Sequence, residues 1–174
     1  MRSLLACLLL VAPVSASLAQ ADLAQRIVND PGAPEVSGAR AKLVDDPAAQ
    51  GGKALRVTVP KKGANAWDSV VESTITKPVK KGDKLVLLFD ARLVKGEGDA
   101  TSATIPYIAI QIKAAPYTGV ISGPVSLGAS WAPHKIEGRV DKDYPAGALK
   151  ATLQVANAKQ TIDFGPIVVL NMGQ

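Results

Sequence analysis

Short runs of alternating apolar and polar residues, bounded by Gly, Pro, Asn or Asp, make up most of the sequence. In the strongest run, residues 85–94, every second residue is apolar: Leu85, Leu87, Phe89, Ala91 and Leu93. Side chains alternate across a strand, so this run predicts a strand with one fully buried face. Such runs recur roughly every 8–15 residues without a convincing helix between them, which disfavours a parallel βαβ fold. The sequence predicts an all-β protein, an antiparallel β-sandwich or jelly roll of about nine strands.

The predicted strands cover residues 41–44, 54–59, 69–76, 85–94, 107–113, 120–127, 134–140, 149–155 and 161–170. Before them, residues 22–29 have a short helical pattern that ends at an Asp-Pro-Gly stop, and a stretch rich in Pro and Gly follows. We therefore expect an irregular lead-in over residues 22–40 and the β-sandwich domain over residues 41–174.

The first 21 residues have the pattern of a secretory signal peptide. Arg2 is the only charge before Asp22, residues 4–14 form an apolar core, and cleavage after Ala19 or Ala21 fits the small residues that follow. A bilayer span needs about 20 apolar residues, so no transmembrane segment is expected in the mature chain. The prediction is a secreted or periplasmic protein. Residues 4–7 also resemble a lipoprotein box, but a lipidated cysteine should come after the apolar run, and most of that run follows Cys7. We therefore expect Cys7, the only cysteine, to be removed with the signal peptide.

The residue types limit the chemistry. The net charge of +5 includes lysine pairs at turns, without the interleaved aromatic residues of a nucleic-acid site. His134 is the only histidine, and no serine lies in a Gly-x-Ser-x-Gly turn. We therefore predict no enzyme activity, no nucleic-acid partner and no cofactor. Several carboxylates have oxygen atoms that suit calcium but lie outside any EF-hand-like loop, so a structural calcium stays open: Asp30, Glu35, Asp45, Asp46 and Asp163.

The strands offer a binding face. If the apolar face of residues 85–94 is buried, Asp90 and Arg92 point away from the core. Residues of two other predicted strands do likewise, namely Glu72, Tyr107 and Gln111. If these strands are neighbours, the five side chains share one concave surface with the donors, acceptors and ring that a sugar needs. Trp67, before a strand, either stacks on a sugar or closes one end of the core, whereas Trp131 is interpreted as structural.

Several segments together resemble the jelly-roll carbohydrate-binding modules appended to bacterial xylanases and cellulases, which have a galactose-binding-like fold. The segments are Asn-Ala-Trp-Asp at 65–68, Val-Lys-Lys-Gly-Asp at 79–83, Leu-Leu-Phe-Asp-Ala-Arg at 87–92, Val-Ser-Leu at 125–127 before Trp131, and the closing strand at 162–173. The resemblance covers residues 41–173. It implies binding of plant-type polysaccharide or oligosaccharide, such as xylan or β-glucan, and a separate glycoside hydrolase as a partner.

The chain also departs from that family in two places. Family members often hold calcium with an Asp pair in the closing strand, where this chain has Gly165-Pro166, and they often have Gln in the region where it has Glu72. Two other hypotheses stand beside sugar binding. One is a structural or interaction module of the cell envelope, which the aromatic content of only 4% favours. The other is a small polysaccharide-active hydrolase using paired carboxylates among Asp68, Glu72 and Asp90.

Overall fold

The computed structural model describes residues 22–174 and has two antiparallel sheets packed face to face. The predicted all-β sandwich is therefore confirmed. Its eleven strands are β1 (Glu35–Ser37), β2 (Arg40–Asp45), β3 (Lys53–Val59), β4 (Val70–Thr74), β5 (Lys84–Lys95), β6 (Ala103–Ile112), β7 (Gly119–Leu127), β8 (Ala132–Arg139), β9 (Leu149–Gln154), β10 (Gln160–Phe164) and β11 (Val168–Asn171). The predicted signal peptide, residues 1–21, lies outside the described residues. From residue 22 onward, no helix is long and apolar enough to span a membrane.

The strands divide unevenly between the two layers. One sheet has five strands in the order β1-β4-β9-β6-β7. The other has six: the order β11-β5-β10-β3-β2, with β8 on the free side of β5. Strands β10 and β11 both pair with β5, β11 along residues 85–88 and β10 along residues 91–95.

Each predicted strand is present, and two details differ. The last one, residues 161–170, is divided into β10 and β11 at Gly165-Pro166. Proline has no N–H to donate to the ladder, which explains a break at that point. Strand β1 was not predicted, because it has only three residues directly after Pro34.

The apolar face of β5 forms the centre of the core, as predicted. Its five apolar side chains are each at most 3% exposed: Leu85, Leu87, Phe89, Ala91 and Leu93. They pack in one cluster with side chains of the opposite sheet, including Ile108, Ile110 and Leu153. Complete burial of such a side chain contributes about 1.5–3 kcal/mol. Each sheet therefore turns its other face outward. On the five-stranded sheet, that face carries the polar side chains of β4, β6 and β9.

The lead-in is tied into the sandwich. Only residues 22–26 are helical, fewer than the pattern over residues 22–29 suggests. Ile27 then forms a bridge with Leu170, and Asn29 forms one with Ile75. The buried Asn29 side chain donates to Ser73 Oγ at 2.8 Å and to the Ile167 carbonyl at 2.7 Å, and it accepts from the Val169 amide at 2.7 Å. One side chain thus links the two sheets.

Candidate ligand-binding groove

A groove of about 770 Å³ lies on the outer face of the five-stranded sheet. Side chains of β4, β6 and β9 form its floor, and loops at the strand ends form its walls. Its lining residues are Ser37, Ala66, Trp67, Val70, Glu72, Pro106, Tyr107, Gln111, Pro116, Tyr117, Lys150, Thr152 and Gln154. Aromatic, amide, hydroxyl and charged groups therefore meet on one surface.

Strand register arranges the floor in three rows across β4, β9 and β6. The rows are Val70–Gln154–Tyr107, Glu72–Thr152–Ala109 and Thr74–Lys150–Gln111. Successive rows are two residues apart, which is roughly 7 Å along a strand. The floor is therefore about 14 Å long from the first row to the third.

The walls carry two exposed aromatic rings. Trp67 lies on the short helical turn Ala66–Asp68, which is fixed because the Asn65 amide donates to Asp68 Oδ2 at 2.9 Å. The Trp67 side chain is 61% exposed, so it does not close the core. Tyr117 is 53% exposed in the loop after β6, at the other end of the groove. Burial of both Trp67 and Tyr107 would favour an envelope module without sugar binding, and Trp67 is exposed.

A single ion pair crosses the floor. Lys150 Nζ lies 2.6 Å from Glu72 Oε1, and the same oxygen accepts from Thr152 Oγ1 at 3.2 Å. The Lys150 ammonium also lies 5.1 Å from the centroid of the Tyr117 ring. The two charged side chains are only 12% and 22% exposed, so water screens the pair poorly. Glu72 is the one carboxylate that lines the groove within residues 22–174.

Tyr107 and Gln111 complete the floor on β6. Burial raises the pKa of Tyr107 above its ordinary value, so the phenol is neutral at physiological pH. Its hydroxyl packs against Gly119, where an added Cβ would lie 2.5 Å from Tyr107 Oη. Gln111 is 5% exposed as a residue, but the atoms of its side-chain amide line the groove and can be reached from it. An accessible amide can both donate to and accept from a ligand hydroxyl or carboxylate.

Four of the six predicted site residues lie together in this groove: Trp67, Glu72, Tyr107 and Gln111. The expectation that Asp90 and Arg92 share their surface is wrong. Both belong to β5, whose neighbours are β8, β10 and β11 of the other sheet. The outward direction of these side chains was inferred from alternation, but the sheet to which β5 belongs depends on pairing far along the chain.

Arg92 takes part in an ion cluster on the six-stranded sheet. Its guanidinium binds Asp163 at 2.9 Å and Asp46 at 2.5 Å, and it lies 5.0 Å from the centroid of the Trp131 ring. The Trp131 indole N–H donates to Asp46 Oδ2 at 3.3 Å. Trp131 therefore packs against the cluster, as its structural interpretation expects. Between residues 22 and 174 no group of three His, Cys, Asp or Glu side chains is arranged to hold a metal ion.

Sequence reasoning missed the central strand of the floor. Strand β9 contributes Lys150, Thr152 and Gln154, and the loop that follows β6 contributes Tyr117. The alternation of residues 149–155 places the three β9 side chains on one face, so their shared direction was visible. Their place between β4 and β6 was not, because it depends on strand order.

The fold is shared with known carbohydrate-binding modules at low sequence identity. A CBM4 domain superposes with a TM-score of 0.62 and 17% identity, over 81% of this chain and 96% of that one. The CBM22-1 xylan-binding domain of Paenibacillus barcinonensis Xyn10C gives 0.59 and 14%, over 81% and 86%. The N-terminal cellulose-binding domain of Cellulomonas fimi β-1,4-glucanase C gives 0.60 and 15%, over 84% and 93%. The predicted jelly-roll module fold is therefore confirmed.

The likeness is one of structure alone. No protein-family model matches the sequence. No curated protein matches it either.

Proposed function

We propose that this protein is a non-catalytic carbohydrate-binding module that holds a polysaccharide or oligosaccharide, such as xylan or β-glucan, in the groove of its five-stranded sheet. The observation that carries the proposal is the combination of exposed aromatic walls with a polar floor in one groove. The similarity of the fold to a xylan-binding and a cellulose-binding domain supports it.

Each part of the groove has a chemical task in binding. The Trp67 and Tyr107 rings offer apolar surface for the C–H face of a sugar ring. Glu72 accepts hydrogen bonds from hydroxyl groups, while Gln111 and Gln154 both donate and accept. Binding by such contacts needs no acid and base pair, which agrees with a role in holding a substrate rather than cleaving it.

Titration calorimetry with soluble xylan and β-glucan fragments tests the proposal. Trp67→Ala should weaken binding about fivefold or more, because a lost ring contact costs on the order of 1 kcal/mol. Leu43→Ala is the matched control, since Leu43 is 68% exposed on β2 of the other sheet and should leave affinity unchanged. Equal losses of affinity in both variants, or no binding of either polymer by the wild type, would contradict the proposal.

Export and partnership are further parts of the proposal. The signal-peptide pattern of residues 1–21 supports a secreted or periplasmic protein that acts beside a separate glycoside hydrolase. Mass spectrometry of protein from outside the cytoplasm should find a chain starting at Gln20 or Asp22. Full-length mass for all of the protein would contradict export. Release of reducing sugar from xylan by the purified protein would instead favour the hydrolase hypothesis.

A further inference from the structure

The two ends of the groove differ in chemistry. One end is mainly apolar, with Ala66, Trp67, Val70 and Pro106 around the Gln154 amide. The other end contains Lys150 and Gln111, with Tyr117 above them. A ligand that fills the groove therefore meets mainly apolar contacts at one end and charged and amide groups at the other.

Lys150 provides the charge at the polar end. An ammonium has three N–H donors, and that of Lys150 forms an ion pair with Glu72 Oε1 at 2.6 Å. The Tyr117 ring attracts the charge but accepts no conventional hydrogen bond. No other acceptor contacts Nζ among the described residues, so donors remain for a ligand. Thr152 already donates to the same Glu72 oxygen, which uses part of that carboxylate's capacity.

Gln111 lies directly beside Lys150, since the two residues are register partners on β6 and β9. Directly opposed side chains have Cβ atoms about 4.5–5.5 Å apart. Gln111 is 5% exposed as a residue, and its amide lines the groove, from which it can be reached. The floor thus presents an ammonium and an amide N–H next to each other, a pair of donors that fits the two oxygens of a carboxylate.

Charged side chains are also distributed unevenly along the groove. The Lys113 ammonium donates to Thr74 Oγ1 at 3.0 Å, and Thr74 belongs to the row of Lys150 and Gln111. Glu72 and its register partner Glu35 are one row away, although the Glu72 carboxylate reaches Lys150, and Asp68 is beside Trp67. Two cations therefore lie at the polar end, and Glu72 offsets one of them.

From this arrangement we propose that the groove prefers a uronate-bearing polysaccharide, whose carboxylate is bound by Lys150 and Gln111 while a neutral sugar ring stacks at the Trp67 end. This rests on the proposed function, because it takes the groove to be the sugar site. Lys150 is then the residue that determines specificity for acidic over neutral chains. The same donors would suit a free carboxylate, so the two sources of that group must be separated by the experiment.

Calorimetry with a glucuronoxylan and with the same polymer after chemical reduction of its carboxyl groups makes that comparison. The native polymer should bind about tenfold more tightly, the size of one charge-assisted hydrogen bond. The preference should shrink at high salt, which screens charge pairs. Glucuronic acid alone should bind far more weakly than the polymer; equal binding would show a simple carboxylate site and overturn the polysaccharide assignment.

Substitutions of Lys150 test whether this residue causes the preference for the native polymer. Lys150→Met should remove the preference for the native over the reduced polymer, whereas Lys150→Arg should retain it. Lys95→Met is the control, because Lys95 is exposed on β5 of the other sheet and should change nothing. Thermal melting checks that each variant is folded. If Lys150→Met does not fold, the comparison of the two polymers on wild-type and Lys150→Arg protein decides the matter.

The outcomes separate the two proposals. Equal or tighter binding of the reduced polymer overturns the acidic preference and leaves the proposed function intact. A preference that survives in Lys150→Met overturns the assignment to Lys150. No binding of either polymer overturns both proposals.

Discussion

Asp163 has a carboxylate with no exposed surface, and two arginines account for its presence in the sheet. Arg56 binds it through two hydrogen bonds of 2.7 and 2.9 Å, and Arg92 binds it at 2.9 Å. Register places the three residues side by side on β3, β10 and β5. Burial alone raises the pKa of Asp163, but the hydrogen bonds and charges of the two arginines together leave that pKa below its ordinary value.

Asp163→Asn should therefore lower the free energy of unfolding by about 2 kcal/mol or more. The figure is below the roughly 3–5 kcal/mol of a fully buried broken pair, because Arg56 and Arg92 keep more than a quarter of their side chains in water. Urea denaturation measures the change. Asp45→Asn is the control, since the Lys53–Asp45 pair is exposed and its loss should have no measurable effect. Equal stability of Asp163→Asn and the wild type would contradict this role.

The same carboxylate predicts a dependence of stability on pH. A folded-state pKa below the unfolded value of about 3.9 stabilises the protein above that pH, and the contribution is lost as pH falls through the folded pKa. The stability difference between the wild type and Asp163→Asn should be constant above about pH 5 and shrink below about pH 4. Denaturation over a pH series tests this; a difference that grows on acidification would show the opposite sign.

At the scale of elements, the β6–β7 hairpin positions the Tyr107 ring. Strand β7 starts at Gly119, whose Cα supports the Tyr107 hydroxyl. The other strands of the floor are fixed from below, because inward residues of β9 such as Ala151 and Leu153 are fully buried in the core. Core packing therefore sets the strands, while one glycine sets the direction of the ring.

Gly119→Ala should weaken polysaccharide binding severalfold and leave stability nearly unchanged. The added Cβ would clash with the far end of the Tyr107 side chain alone, which can move away at a cost of about 1 kcal/mol. Calorimetry and thermal melting measure the two effects. Gly128→Ala is the matched control, because nothing lies within 4 Å of a Cβ there. Unchanged affinity in Gly119→Ala would show that the ring position is irrelevant to binding.

At the scale of the whole molecule, the two outer faces have separate roles. The six-stranded sheet carries an ion cluster whose charges satisfy one another, and Trp131 packs on it. The five-stranded sheet carries an open groove with an accessible amide and exposed rings. Within residues 22–174, the features expected of a ligand site thus concentrate on the second face.

The sequence predicts the strands and their buried faces, but it does not predict how the strands pair. Alternation is a local property, so it predicts the strands and the buried face of β5. Pairing depends on contacts between distant residues, such as Arg92 with Asp163, and alternation carries no information about them. This is why Arg92 was grouped with Tyr107, and why Lys150 was missed although its direction on β9 was visible.

The two tryptophans offer the most direct test of the central claim, because Trp67 lies in the groove and Trp131 lies on the other sheet. Titration of nitrogen-15-labelled protein with a soluble xylo-oligosaccharide or β-glucan fragment can follow both indole N–H signals by NMR. The account predicts a saturable shift of the Trp67 signal and a stationary Trp131 signal. A shift of Trp131 with Trp67 unchanged, or no shift of either signal with any such ligand, would contradict it.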